Sequence, residues 1–217
     1  MLEVEKYSPS IVDESFRKIK TTIEYSYRDK NYKAIAITSS KYGEGKTFVA
    51  ANLALILSQG NKKVILIDCD FRKPNIHKKF NISNGIGLSE ILMNEENLSI
   101  ATREYNENFY IVTAGKMPLN PSETLASKAM SDLLEKLKND YDYIILDTSP
   151  ILFLSDSQVI SNKADGTILV VRSEKTKDYE VKEAYNILKN INVNMIGVIL
   201  NGIRSESKKY FRNHIKK

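Results

Sequence analysis

The single cysteine in 217 residues, Cys69, rules out an internal disulfide and suits a reducing compartment. Glycine and proline are scarce, at 9 and 5, and nowhere do they gather with serine into a linker, a low-complexity tract or a repeat. No apolar run is long enough to span a bilayer; runs such as Ile168 to Val171 and Met195 to Leu200 are far too short. The first residues are acidic and mixed, with no apolar h-region, so no secretory signal is expected. The basic end of the chain reads equally well as a solvated terminus and as a partner site, and no nucleic-acid partner is expected. These absences leave one globular domain over residues 1–217, expected in the cytoplasm.

What is present is an ordinary globular balance, 42% hydrophobic and 27% charged, enough for a sizeable core. Lysine and arginine exceed aspartate and glutamate by 32 to 27. The excess concentrates at the end, where Lys208, Lys209, Arg212, Lys216 and Lys217 give residues 205–217 the character of a basic tail. Six short runs rich in Ile, Val and Leu predict strands: Ala34 to Thr38, Lys63 to Asp68, Phe109 to Thr113, Tyr143 to Asp147, Thr167 to Arg172 and Asn194 to Leu200. They are continuously apolar rather than alternating, as strands covered on both faces are. The fold class is therefore α/β, a mostly parallel sheet with helices on both faces. Helices are predicted from about Ile11 to Tyr25, over Phe48 to Leu57 (apolar nearly all round and so deeply packed), from Pro121 to Asn139 with Ser122 as cap, and from about Tyr179 to Leu188.

Chemistry concentrates where strands end. After the first predicted strand the chain reads Ser39-Ser40-Lys41-Tyr42-Gly43-Glu44-Gly45-Lys46-Thr47-Phe48. Strand, glycine-rich loop with Lys-Thr, then helix is the context of a nucleotide phosphate loop, although Ser40 stands where the usual pattern has its first glycine. Gly43, Glu44, Gly45, Lys46, Thr47 and Phe48 are the candidate nucleotide-binding run. The glycines let backbone amides turn toward phosphate oxygens, Lys46 reaches the β and γ phosphates, and the Thr47 hydroxyl holds a magnesium ion. Two further strands end in carboxylates, in Val64-Ile65-Leu66-Ile67-Asp68-Cys69-Asp70-Phe71-Arg72 and in Tyr143-Ile144-Ile145-Leu146-Asp147-Thr148-Ser149-Pro150. In an open α/β sheet ligands sit at the carboxyl ends of strands, so Asp68, Asp70 and Asp147 are expected beside the loop as a magnesium site. Cys69 and His77 read as packing and surface residues.

These three motifs together resemble those of the bacterial tyrosine kinases of capsule and exopolysaccharide systems, within the wider group of ATPases that includes the cell-division and plasmid-partition ATPases. Arg72-Lys73-Pro74, Gly87 to Leu92, Asn120 to Glu123 and Ala164-Asp165-Gly166 extend the likeness over nearly the whole chain. The resemblance implies an ATP- and magnesium-dependent kinase in which a tyrosine hydroxyl attacks the γ phosphate. It implies Thr47, Asp70 and Asp147 on the metal, Asp68 on the metal or as base to the attacking hydroxyl, and Asn201 on the adenine side. It further implies that Glu14, Arg17 and Lys20, in the N-terminal segment 1–30, assemble the chain into a homo-oligomer, as the matching helix of family members assembles them into rings. The cytoplasmic tail of a membrane adaptor would activate it and recruit it to the membrane, and polysaccharide-synthesis proteins would be substrates. Family members end in a tyrosine cluster. This tail has one tyrosine, Tyr210, the expected phosphoacceptor, with Tyr7, Tyr25, Tyr27 and Tyr32 as other candidates. Lys41, five residues before Lys46, matches a lysine with which partition-type ATPases touch phosphate across a dimer. The alternative function is accordingly a nucleotide-driven switch or scaffold that phosphorylates no protein.

Overall fold

The computed structural model describes residues 11–26, 32–94 and 96–203. Among these, seven strands form one sheet in the order β3-β4-β2-β5-β1-β6-β7. The strands are β1 (Ala34–Ser39), β2 (Val64–Asp68), β3 (Thr102–Asn106), β4 (Phe109–Val112), β5 (Tyr143–Asp147), β6 (Gly166–Arg172) and β7 (Met195–Asn201). All neighbours run parallel except β3 and β4, which pair antiparallel with a register shift between Glu104 and Asn106. The six predicted strands are all found. β3 was not anticipated: its sequence Thr-Arg-Glu-Tyr-Asn is polar and half-exposed, as suits an edge strand, which needs polarity to discourage further pairing.

Period-2 alternation decides which residues of the apolar strands face which layer. Ile35, Ile37, Val64, Leu66, Ile145, Ile168 and Val170 point to one face, where α2 (Lys46–Ser58) and α1 (Ile11–Thr21) cover them. Ala34, Ala36, Ile65, Ile67, Ile144 and Leu146 point to the other, under α4 (Leu88–Leu92), α6 (Pro121–Ala126), α7 (Lys128–Asp140) and α8 (Ser155–Lys163). On that second face α9 (Asp178–Asn190) covers Leu169 and Val171. The short helices α3 (Ile76–Phe80) and α5 (Leu98–Ala101) complete the set. α2 is buried from Val49 through Ser58, as its all-round apolar sequence predicts. Its first turn, with Lys46 and Thr47, faces the site.

Two predicted helices differ in detail. The N-terminal helix continues α1 with a π-helical turn, Thr22–Ser26. The single helix predicted from Pro121 to Asn139 is two, broken at Ser127, whose extended ψ of 159° turns the chain and whose hydroxyl accepts from the Met130 amide at 3.3 Å to cap α7. Ser122 is not a cap; its hydroxyl donates to Asp156 and meets the Ser155 hydroxyl at 2.9 Å. Apolar residues four apart continue across the break, so periodicity alone could not reveal it.

The topology places the site. From β1 the chain crosses to β2, beyond β5, and from β5 it crosses to β6 on the opposite side of β1. The order reverses around β1, and the crevice beyond its carboxyl end is where open α/β sheets bind ligands.

Candidate functional site

The loop between β1 and α2 turns on two glycines, Gly43 at φ 78° and Gly45 at φ 98°. Ser40, in the place of the usual first glycine, is fully buried and has no left-handed backbone, so no glycine is needed there. Gly45 occupies the N-cap position of α2, and no side chain caps that helix. The first amides of α2 are therefore available to an anion together with the positive end of the helix dipole.

Lys46 opens the helix and is 7% exposed, with its ammonium 3.4 Å from Asp70 Oδ2. Asp68 and Asp147 are direct register partners on adjacent strands β2 and β5. They continue the rows Val64-Leu66 and Tyr143-Ile145, so alternation aims both carboxylates at the face covered by α2, beside Lys46 and Thr47. The strands that make the apolar core thus deliver the two carboxylates to one spot.

The three aspartates differ in what holds them. Asp68 is fully buried and accepts from the amides of Asp70 at 3.1 Å and of Asn75 and Ile76 at 3.0 Å each. It anchors the chain leaving β2. Burial, followed by the Asp147 charge, nevertheless pushes its pKa well above the usual range. Asp70 accepts from the Lys73 amide at 3.0 Å and turns its other oxygen to Lys46. Asp147 is 1% exposed, and neither of its oxygens makes a full hydrogen bond within the protein. Burial raises its pKa from the usual 3.8 to about 6, against the opposing pull of the Lys46 ammonium and the Thr47 hydroxyl.

A buried carboxylate without donors is costly unless a cation completes it. Among the described residues, no three acidic, histidine or cysteine side chains converge to cage a metal. That is compatible with magnesium, which takes one or two protein oxygens and fills its octahedron with phosphate oxygens and water.

Around the loop, further residues have tasks that the sequence did not announce. Glu44 is completely buried; its carboxylate accepts from the Lys41 amide at 3.0 Å and from the Thr176 hydroxyl. Asn201 donates its side-chain amide to the Glu44 carbonyl at 2.8 Å. It thus grips the loop from the end of β7, and this commits an amide hydrogen that an adenine contact would otherwise use. Lys41 reaches Glu180 in the first turn of α9, 2.7 and 2.6 Å from its two oxygens, and holds that carboxyl below its usual range. The Phe48 ring packs against Phe16 of α1 at 6.0 Å, so only its backbone faces the loop. Arg72 donates to Asp156 at 2.8 Å, and Tyr42 stacks on Phe153 with centroids 6.4 Å apart. No spacing in the sequence pointed to Thr176, Glu180, Asp156 or Phe153; they come from distant segments that only the fold brings to the loop.

Of the remaining candidates, Glu14 and Arg17 are exposed on α1, whereas Lys20 folds back to donate to the Ile56 carbonyl at 3.2 Å. Lys20 thus does not share the free face of the other two. Cys69 is buried and His77 half-buried, as expected. Tyr25 is 72% exposed, but Tyr32 is buried and cannot reach an active site as folded. Tyr210, with the basic tail, and Tyr7 and Tyr27 lie outside the described residues.

Fold and loop together define a P-loop nucleotide-binding α/β domain of the kind in which acidic strand ends serve the phosphates. A family profile described as an AAA domain matches residues 32–197. The chain is 40% identical to the tyrosine-protein kinase YwqD of Bacillus subtilis (strain 168), over 89% of this chain and 82% of that protein. It superposes on the crystal structure of the chimerical protein CapA2B2 with a TM-score of 0.88 and 34% identity, over 92% of this chain and 88% of that one. The kinase domain of the Escherichia coli tyrosine kinase ETK gives a TM-score of 0.84 and 34% identity, over 88% of this chain and 75% of that one. The chain belongs to the bacterial tyrosine-protein kinases. A plasmid partition protein from Borrelia burgdorferi, at a TM-score of 0.64 and 23% identity over 84% of this chain and 87% of that one, shares the fold. No helix among the described residues is long and apolar enough to cross a membrane.

Proposed function

We propose that residues 1–217 form one kinase domain that transfers the γ phosphate of magnesium-bound ATP to tyrosine, on its own chain and on polysaccharide-synthesis proteins. The observation that carries the reading is Asp147: a buried carboxylate without full hydrogen bonds, beside Lys46 and Thr47, at the mouth of a loop whose helix amides are uncapped. Such a carboxylate is explained by a cation and a phosphate.

Thr47, Asp70 and Asp147 would hold the magnesium ion, which supplies charge neutralisation on the phosphate oxygens. Gly43, Glu44 and Gly45 shape the loop, and their amides with those of Lys46, Thr47 and Phe48 orient the phosphates. Lys46 draws off charge as the tyrosine oxygen bonds to phosphorus, the bridging P–O bond breaks toward ADP and the phenol proton leaves to a carboxylate or water. Asp68, tied by three amides, fits a positioning role better than that of a mobile base. Asn201 and Lys41 border the nucleotide by clasping the loop.

Tyr210 is the proposed acceptor in the tail, and Glu14 and Arg17, with Lys20, the proposed seam of a homo-oligomer. Activation and recruitment by the cytoplasmic tail of a membrane adaptor, and no role for nucleic acid, complete the proposal. The test is incubation with labelled ATP and magnesium, with and without such a tail, followed by mapping of phosphotyrosine. Label on tyrosine that vanishes in Lys46→Met is the expected result. Phosphate release with no phosphotyrosine would overturn the proposal in favour of a nucleotide-driven switch.

A further inference from the structure

The rim of the cleft beyond Lys46 carries apolar side chains that neither the core nor the nucleotide explains. Tyr42 lies within the phosphate loop, with the Lys46 ammonium 5.6 Å from its ring centre. Its ring stacks nearly parallel on Phe153, at an interplanar angle of 5°, and the Lys73 ammonium sits over it at 4.1 Å. Phe153, in the loop after β5, is 62% exposed. The bond between the Ser122 and Ser155 hydroxyls, 2.9 Å long, ties the start of α6, and with it the loop before α6, to the segment that follows Phe153. That loop exposes Met117 at 65% and Leu119 completely. The cations Lys73 and Lys116 are also exposed here. An aromatic floor, an aliphatic side and a basic edge therefore adjoin the end of the site marked by Lys46 and Asp70, opposite the end held by Asn201.

We infer that Phe153, stacked on Tyr42 under the Lys73 ammonium and linked through Ser155 and Ser122 to the segment that exposes Lys116 and Leu119, is the docking platform for the phosphoacceptor, and that it selects a tyrosine flanked by acidic residues on a separate protein. The inference rests on the reading of this cleft as the phosphoryl-transfer site. An exposed aromatic pair offers a ring-stacking surface for a tyrosine side chain, and the lysines favour carboxylates on either side of it. The chain's own tail is a poor match. Residues 205–217 place Lys208, Lys209 and Arg212 around Tyr210, like charges against the basic edge. On this surface the tail is the weaker substrate, and a protein with an acidic tyrosine segment the better one.

The experiment uses the full chain with three synthetic peptides: a tyrosine flanked by glutamates, the same peptide with lysines, and residues 205–217. Binding by fluorescence anisotropy and, with labelled ATP, phosphorylation kinetics are measured. The glutamate peptide should bind best, more weakly as salt rises. Phe153→Ser should weaken its binding and raise its KM by about fivefold, the loss of one aromatic contact. Phe153→Tyr should restore both, and Lys116→Glu should invert the preference between the acidic and basic peptides. The KM for ATP and peptide-independent ATP hydrolysis should stay within about twofold of the parent, since Phe153 meets the loop at the Tyr42 ring, ahead of the Gly43 to Thr47 run. An unchanged peptide affinity in Phe153→Ser, tighter binding of the 205–217 peptide, or an equal rise in the KM for ATP would each overturn the inference. Failure of the underlying reading looks different: peptide phosphorylation that persists in Lys46→Met.

Discussion

Gly45→Ala tests the loop geometry most directly, because two separable costs meet at one atom. The backbone there has φ 98° and ψ 25°, and a side chain in such left-handed conformations costs roughly 1–2 kcal/mol. A Cβ would also lie 2.1 Å from Asn201 Nδ2, so Asn201 must move and give up its 2.8 Å bond to the Glu44 carbonyl. A hydrogen bond of that kind contributes about 1 kcal/mol. The smaller conformational freedom of unfolded alanine returns about 0.5 kcal/mol. The sum is a destabilisation of about 2 kcal/mol, or a fall in melting temperature of about 4–8 °C for a domain of this size. In an Asn201→Ala background the bond is already gone and the clash is relieved, so the same change should cost only about 1 kcal/mol. A double-mutant cycle by chemical denaturation reads the difference, and fluorescent-nucleotide binding should weaken by at least about tenfold in Gly45→Ala, where Lys46 and Thr47 are displaced. Equal costs in both backgrounds would refute the contact with Asn201. No cost in either would refute the strained turn itself.

Two other perturbations probe the charges. Burial raises the Asp147 pKa to about 6, so in the magnesium-free protein its contribution to stability is fully present below pH 3.8 and is lost as pH rises through about 6; at pH 7.5 this amounts to about 3 kcal/mol. Asp147→Asn should therefore raise the melting temperature of the nucleotide-free protein at pH 7.5 but not at pH 4, by calorimetry, while abolishing magnesium-dependent stabilisation by ATP. Lys41→Ala, which releases Glu180, should leave phosphotyrosine formation within about twofold of the parent in a labelled-ATP assay. A loss of turnover above about tenfold would instead favour the partition-type role for this lysine.

Much of the fold was legible because the strands are apolar on both faces. Six segments announced themselves by composition, and parallel strands buried twice over require helices on both sides. α2 was equally plain, since no face of Phe48 to Leu57 is polar. β3 was hidden because an edge strand gains nothing from an apolar sequence, and the break at Ser127 because the apolar stripe continues through it. The site was legible to the extent that its residues are contiguous. Gly43 to Thr47 form one loop, and each aspartate follows an apolar strand. Their division of labour was not: Asp68 with three amides, Asp70 with Lys46 and Asp147 with none look alike as letters after a strand.

The sequence by itself determined the α/β class, the phosphate loop and the strand ends that carry acid, because each depends on neighbours in the chain: turn chemistry, period and local charge. Tertiary structure alone decided that Asp147 is the carboxylate left without a full hydrogen bond and that Lys41 is taken by Glu180. It also decided that Glu44 is buried between Lys41 and Thr176, and that Phe153 lies against Tyr42. Those pairings join positions more than a hundred residues apart in three of the four cases, and a partner's identity is fixed by sheet order and crossover, which no local pattern encodes.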